Sequence, residues 1–344
     1  MDFSVIPAHF KFILPFLAAS FAISFAVFPF YIKKLKEMQW GQQIREEGPK
    51  DHLSKKGTPT MGGLVVIMTF ALLSIAVWLL SENTGAIPFK LTADYWVFAA
   101  IVILTAALGF SDDFLKIRKS QSLGLRAREK MAALLIIAAA AWAYMEFFTE
   151  RGSRVFVPFA GDVDFGWLLL PFCLLVLPGC VNAVNLTDGL DGLAGANVII
   201  SLAAFSLILL YNGKTDLFIG CILITGGLLA FLWFNCFPAR VFMGDAGALA
   251  FGGALAAVAI LTGTEIVLCI IGGIYVIEAL SVMIQVTYFK ATGGRDNGGK
   301  RVFRMTPIHH HFALGGLHEV QVTTRFTIAG IGFAALGLLM YFGV

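Results

Sequence analysis

Apolar runs long enough, or nearly long enough, to cross a bilayer recur ten times along the chain, at residues 12–32, 61–80, 95–110, 131–148, 166–183, 193–211, 217–235, 248–262, 266–290 and 324–343. A membrane helix needs roughly 20 mostly apolar residues, and in lipid its backbone must satisfy its own hydrogen bonds. The third and eighth runs fall short of that, so their helices are expected to extend into the flanking segments. Polar residues collect between the runs. This pattern predicts an all-α polytopic membrane protein with ten transmembrane helices, in a single domain over residues 1–344. Between the fourth and fifth runs, Val155-Phe156-Val157-Pro158 and Val163-Asp164-Phe165 flank Gly161, which predicts a small hairpin capping that end.

Composition agrees: 58% of residues are hydrophobic, only 14% are charged, and Phe alone numbers 32. Soluble domains carry roughly 25% charged residues. Cys173, Cys180, Cys221, Cys236 and Cys269 lie in or beside apolar runs without metal-type spacing, as packing cysteines do. The first run has no small-residue cleavage pattern and reads as a retained span. Charge sets orientation. Twenty Lys and Arg follow the odd-numbered runs, against five on the opposite face. The positive-inside rule then makes the odd loops cytoplasmic and both termini periplasmic. No inverted repeat of the transporter kind is present.

Residues with chemical potential gather on the cytoplasmic side. Asn182, Asn185, Asp188 and Asp191 recur every third residue at the end of the fifth run, which predicts one polar row on a helix face. No Lys or Arg lies between Asn182 and Ala194, so the compensating charge is expected from a divalent cation or a ligand donor. Asp112-Asp113 opens the second cytoplasmic loop, followed by Lys116 and Lys130. Adjacent carboxylates at a membrane face are costly unless solvated, paired or metal-bound. Asp245 sits between Gly244 and Gly247 at an expected helix start. It suits an N-cap, or Mg²⁺, which takes one or two carboxylates beside substrate phosphates. Lys55, Lys56 and Thr60 precede Gly62-Gly63 and read either as an anion site or as a basic anchor at a helix start. His309, His310 and His311 are consecutive, which disfavours a shared zinc ion and fits phosphate donors or a proton shuttle. Glu278, inside the ninth run, is expected to bond within the bundle.

DDFLK at Asp112–Lys116, NAVNLTDGLDGLA at Asn182–Ala194, FMGDAGALAFGG at Phe242–Gly253, PIHHHF at Pro307–Phe312 and KKGTPTMGG at Lys55–Gly63 together resemble the phospho-N-acetylmuramoyl-pentapeptide-transferase family. The resemblance runs through essentially the whole chain. It implies transfer of phospho-MurNAc-pentapeptide from UDP-MurNAc-pentapeptide to undecaprenyl phosphate, giving lipid I and UMP, with Mg²⁺, in the bacterial inner membrane and in a homodimer. It implies Asp245 as the first Mg²⁺ ligand, with Asp112 and Asp113 as the acidic pair. Asp112 is then the candidate base for the lipid phosphate. Asn185, Asp188, Asp191, Asn235 and Phe242 match positions around the nucleoside or metal, with Phe242 able to stack on uracil. Lys116, Lys130, His309, His310 and His311 would hold phosphates, and Lys55 or Lys56 would reach the nucleotide. The resemblance also implies a broken ninth helix whose inner half leans outward beside a groove for the lipid tail. A transferase acting on another UDP-HexNAc, and a transporter or flippase, are the competing readings. A transporter would bring its binding residues to the bilayer midplane.

Overall fold

A computed structural model of the chain describes residues 6–40, 57–83, 87–119, 124–294 and 298–343. In chain order these form α1 (Ile6–Glu37), α2 (Gly63–Asn83), α3 (Ala93–Lys119), α4 (Ala127–Phe148), β1 (Arg154–Val157), β2 (Gly161–Asp164), α5 (Leu169–Thr187), α6 (Leu193–Tyr211), α7 (Thr215–Asn235), α8 (Gly244–Thr262), α9 (Glu265–Ile271), α10 (Gly273–Ala291), α11 (Ile308–Ala313) and α12 (Glu319–Phe342). Ten of these helices are long and apolar enough to span a membrane. The short third and eighth runs do lengthen, α3 to Lys119 and α8 back to Gly244.

The bundle is organised around α8. Its membrane window is 89% buried, against 17% for α12 at the periphery. The reason is its run of Gly and Ala, which lets neighbouring backbones approach where lipid offers no hydrophobic drive. A Cβ added at Gly252 would stand 2.6 Å from Val181 Cα of α5, and one at Gly253 would stand 2.4 Å from Thr105 Oγ1 of α3. Gly63 at the start of α2 meets Gly247 in the same manner, at 2.2 Å. Three elements are therefore held at backbone distance from the first half of α8.

The hairpin forms as expected, antiparallel with Val155 opposite Val163. It is tied to the α8–α9 turn by Phe156 N–H donating to Gly263 O at 2.7 Å. Arg151 clamps the same corner, donating to Glu265 Oε1 at 2.7 Å and to Ile260 O.

The ninth run breaks as the resemblance implies: α9 ends at Ile271 and α10 begins at Gly273. Gly272 caps both halves, and Gly273 lies so close to the Phe333 ring of α12 that a Cβ would come within 2.5 Å. One expectation needs correction: the polar row fails as a single helical row. Helix α5 stops at Thr187, and residues 188–192 turn, with Gly192 at φ 79°. Asn182 is exposed and donates to Pro178 O of its own helix. Asn185 and Asp191 then face different partners.

Candidate active site

At one end of the bundle lie the C-terminal ends of α3 and α5 and the N-terminal ends of α4 and α8. Asp112, Asp113 and Lys116 occupy successive positions on the last turns of α3, so Lys116 stands one turn beyond Asp112. Its Nζ lies 2.6 Å from Asp112 Oδ2, 3.0 Å from Asp245 Oδ2 and 3.7 Å from Asp113 Oδ1. Lys130, from the first turn of α4, reaches the same two oxygens at 2.9 and 2.8 Å. Asp113 turns its other oxygen to the start of α8, accepting from Ala246 N–H at 3.0 Å. It thus satisfies one of the unpaired donors that every helix start carries. Asp112 Oδ1 accepts from Leu125 N–H at 2.6 Å, and Asp245 Oδ1 accepts from Asn185 Nδ2 at 3.0 Å.

Ligand oxygens of Asp112, Asp113 and Asp245 all lie within 4.8 Å of one another. Asp112 and Asp113 are 1% and 5% exposed, and buried carboxylates persist as ions only when paired. Three carboxylates face two ammonium groups here, which leaves a net negative charge. Asp188 adds to it. Burial, followed by Asp245, Asp113 and Asp191, pushes its carboxyl up to about 8. A site of hard oxygen donors with surplus negative charge fits Mg²⁺, with the two lysine ammoniums already occupying the gap between the acids.

The other expected residues distribute as follows. Asp191 Oδ2 accepts from Ala239 N–H at 2.9 Å, while its own N–H donates to Glu319 Oε1 at 2.7 Å. Asn235 accepts from Gly192 N–H and donates to Val241 O. These two side chains staple the 188–192 turn to the α7–α8 loop, and Glu319 ties the same turn to the start of α12. Thr60 is buried, with its Oγ1 close enough to Gly244 that a Cβ there would meet it at 2.9 Å. Phe242 exchanges backbone hydrogen bonds with Pro59 and Gly62 and leaves its ring half-exposed. His309 and His310 are buried side by side, with ring centroids 4.1 Å apart. His309 pairs with Glu278 of α10, and His311 Nδ1 accepts from Arg304 N–H at 3.1 Å. Lys55 and Lys56 fall outside the described residues.

Comparison with known proteins places this arrangement. The model of glycosyl transferase family 4 matches residues 95–263, and a phospho-N-acetylmuramoyl-pentapeptide-transferase signature matches residues 55–67. The phospho-N-acetylmuramoyl-pentapeptide-transferase of Shouchella clausii is 43% identical over 95% of this chain and 96% of its own. That of Listeria monocytogenes is 43% identical over 92% of this chain and 94% of its own. That of Geobacillus kaustophilus is 41% identical over 94% and 95%. The chain belongs to the phospho-N-acetylmuramoyl-pentapeptide-transferase family.

Within that family frame, the structure adds residues that motif reading passes over. Gly124 and Leu125 grip Asp112 through the backbone, and a Cβ on Gly124 would come within 2.3 Å of Asp112 Oδ1. Glu319 holds the Asp191 turn, and the only sequence signal for it is an acid in the first turn of the last span. Gln285 accepts from Val302 N–H and Phe303 N–H, each at 3.0 Å, and so pins the approach to the histidine run onto α10. No periodicity links residues 17 or 18 positions apart across a loop.

Proposed function

We propose that the Asp112–Asp113–Asp245 cluster is the catalytic centre for transfer of phospho-MurNAc-pentapeptide from UDP-MurNAc-pentapeptide to undecaprenyl phosphate, in peptidoglycan synthesis. The observation that carries this reading is that the family's acidic motifs, distant in sequence, meet on two shared lysines. The lysine and arginine excess argues that this end of the bundle faces the cytoplasm of a bacterial inner membrane and that both termini face the periplasm. That placement suits one soluble polyanionic substrate and one lipid whose phosphate sits at the surface. Residues 1–344 then act as a single transferase domain, in the homodimer that the resemblance implies.

In this reading Asp245, with Asp113 and Asp112 beside it, holds Mg²⁺. When bound, the ion offsets charge on the diphosphate being cleaved. Lys116 and Lys130 receive phosphate oxygens from the positions they hold between the acids. Asp112 accepts from Leu125 N–H and is ion-paired with both ammoniums, which suits it to aligning the lysines more than to abstracting a proton. Little is lost, since a phosphate monoester with a second pKa near 6 is mostly dianionic at pH ~7. Positioning and charge neutralisation then supply most of the rate. His309, His310 and His311 lie on α11, between Ile308 and Phe312. Beside them, α10, α11 and α12 enclose an apolar cleft of about 290 Å³ lined by Ile274, Ile277, Ile308, Phe312, Phe326 and Phe333. It offers a place for part of the isoprenoid tail, beside the half-helix that follows the break. The transporter reading is disfavoured because the carboxylates gather at one end of the helices, and the mid-bundle Glu278 is already paired with His309.

Purified protein incubated with undecaprenyl phosphate, Mg²⁺ and each UDP-sugar in turn is expected to give a lipid-linked product from UDP-MurNAc-pentapeptide. Product from UDP-GlcNAc alone would reassign the donor, and no product from any donor would remove the transferase reading.

Metal binding has a readout besides turnover. With its pKa raised to about 8, Asp188 keeps its proton in the folded protein while the unfolded chain loses it near pH ~4. Unfolding therefore releases a proton between these values, and stability falls as pH rises through that window. In metal-free protein, the Tm is expected to fall between pH 5 and 8, and Asp188→Asn is expected to flatten the slope. Added Mg²⁺ is expected to raise the Tm most at the alkaline end, where it offsets the crowded negative charge. A Tm that ignores both Mg²⁺ and Asp188→Asn would remove the cation from this site.

A further inference from the structure

Glu278 is fully buried on α10, a turn and a half beyond the helix break, where an unpaired carboxylate would be severely destabilised. Its partner comes from 31 residues away: Oε1 lies 3.0 Å from His309 Nδ1, and Oε2 faces the His309 backbone N–H at 3.5 Å. With the carboxylate accepting, Nδ1 carries the hydrogen, and in the neutral imidazole the other ring nitrogen, Nε2, is then a bare acceptor. Nε2 is itself buried, and among the described residues it has no hydrogen-bond partner. Such a group calls for an explanation, because burial without a partner is costly. What it faces is Gly189, where an added Cβ would stand 2.2 Å from Nε2 and 2.7 Å from Cε1. Gly189 follows Asp188 and lies four residues beyond Asn185, the side chain that donates to Asp245.

From this geometry we infer that Glu278 is a positioning residue for the transfer: it fixes the rotamer and tautomer of His309 and presents a bare Nε2 at the Gly189 turn. The inference rests on the proposed role of His309 in the site. Glu278 touches no acid of the cluster and acts through the imidazole alone. The same half-helix contributes Ile274 and Ile277 to the apolar cleft, so one rigid element carries both the cleft wall and the histidine's anchor. Supporting groups of this kind typically cost about 10–100-fold in activity when removed. A Glu that merely glues the bundle would instead show its loss in stability, independently of His309.

The test is a double-mutant cycle on the full chain in detergent, assayed with UDP-MurNAc-pentapeptide, undecaprenyl phosphate and Mg²⁺. Glu278→Gln is expected to lower kcat about 10-fold or more, with the KM for the nucleotide donor within about 2-fold. His309→Ala leaves a buried charge unpaired, so the neutral double variant, Glu278→Gln with His309→Ala, is the better folded reference. Its kcat is expected to match that of His309→Ala within about 3-fold, because Glu278 has no further effect once the ring it positions is gone. Gly189→Ala gives a second arm that does not depend on a Glu278 variant folding alone. It is expected to lower kcat about 10-fold with His309 in place and under about 2-fold in the double variant, where the ring is gone. Wild-type kcat in Glu278→Gln, multiplicative losses in the cycle, or an equal Gly189→Ala loss in both backgrounds would each overturn the positioning role. Full turnover in His309→Ala would instead remove His309 from the proposed site, a separate failure.

Discussion

Asp245→Asn is expected to lower kcat by about 10³-fold while the protein still inserts and folds. Asp245 is the hub of the cluster: one oxygen faces both ammoniums, at 3.0 and 2.8 Å, and the other accepts from Asn185. An amide cannot replace it. Turned one way, its NH₂ meets two lysines that can only donate; turned the other, it meets the NH₂ of Asn185. The variant also takes away the carboxylate oxygen that faces both ammoniums, so some stability is lost together with the charge needed for transfer. Turnover should therefore fall far more than stability. Measurement of kcat at saturating substrates and of Tm on the same preparation checks this. Mg²⁺-dependent turnover near the wild-type level would take Asp245 out of the catalytic centre.

That hub draws on several elements, and the sequence reveals them unequally. Span number and order are readable because each helix must be apolar along its whole length to lie in lipid, so hydropathy reports it directly. Helix ends are not, because a helix that leaves the lipid stops being apolar without stopping being a helix. Hydropathy ends the third run at 110, yet α3 runs to Lys119 and carries Asp112, Asp113 and Lys116 on its turns. The reverse happens at Gly272-Gly273, where the run stays apolar while the helix breaks. A period of three suggests one face for Asn182, Asn185, Asp188 and Asp191, but the turn after Thr187 sends Asp191 to Ala239 and leaves Asn185 on Asp245. Motif order correctly collects the acids and lysines at one end of the bundle. What it cannot supply is partnership across distance: Asn185 with Asp245 is 60 residues apart, and Asp191 with Glu319 is 128.

Gly109→Ala is expected to lower kcat by about 10²-fold, although this glycine touches no substrate group. It lies one turn before Asp112 and Asp113 on α3, where the helix meets the start of α8. A Cβ there would stand 2.1 Å from Asp245 O, 2.4 Å from its carbonyl carbon and 2.7 Å from Ala246 Cα. All three are backbone atoms, so no rotamer change can make room. The helices must separate, and the acids on α3 then move away from Asp245 and from the Ala246 N–H that holds Asp113. Catalytic groups tolerate little of this, since a misplacement of about 1 Å can cost about 10²-fold. Overpacking should also cost about 1–3 kcal/mol of stability, which a lower Tm would report. Gly332→Ala is the control. That glycine lies within α12 with no atom within 4 Å of an added Cβ, and there the substitution should leave both kcat and Tm near wild type or raise the latter slightly. Wild-type turnover in Gly109→Ala would mean that the close approach of α3 and α8 does not set the geometry of the acids. Loss of kcat in Gly109→Ala alone would place the catalytic spacing in the contact between two helix backbones.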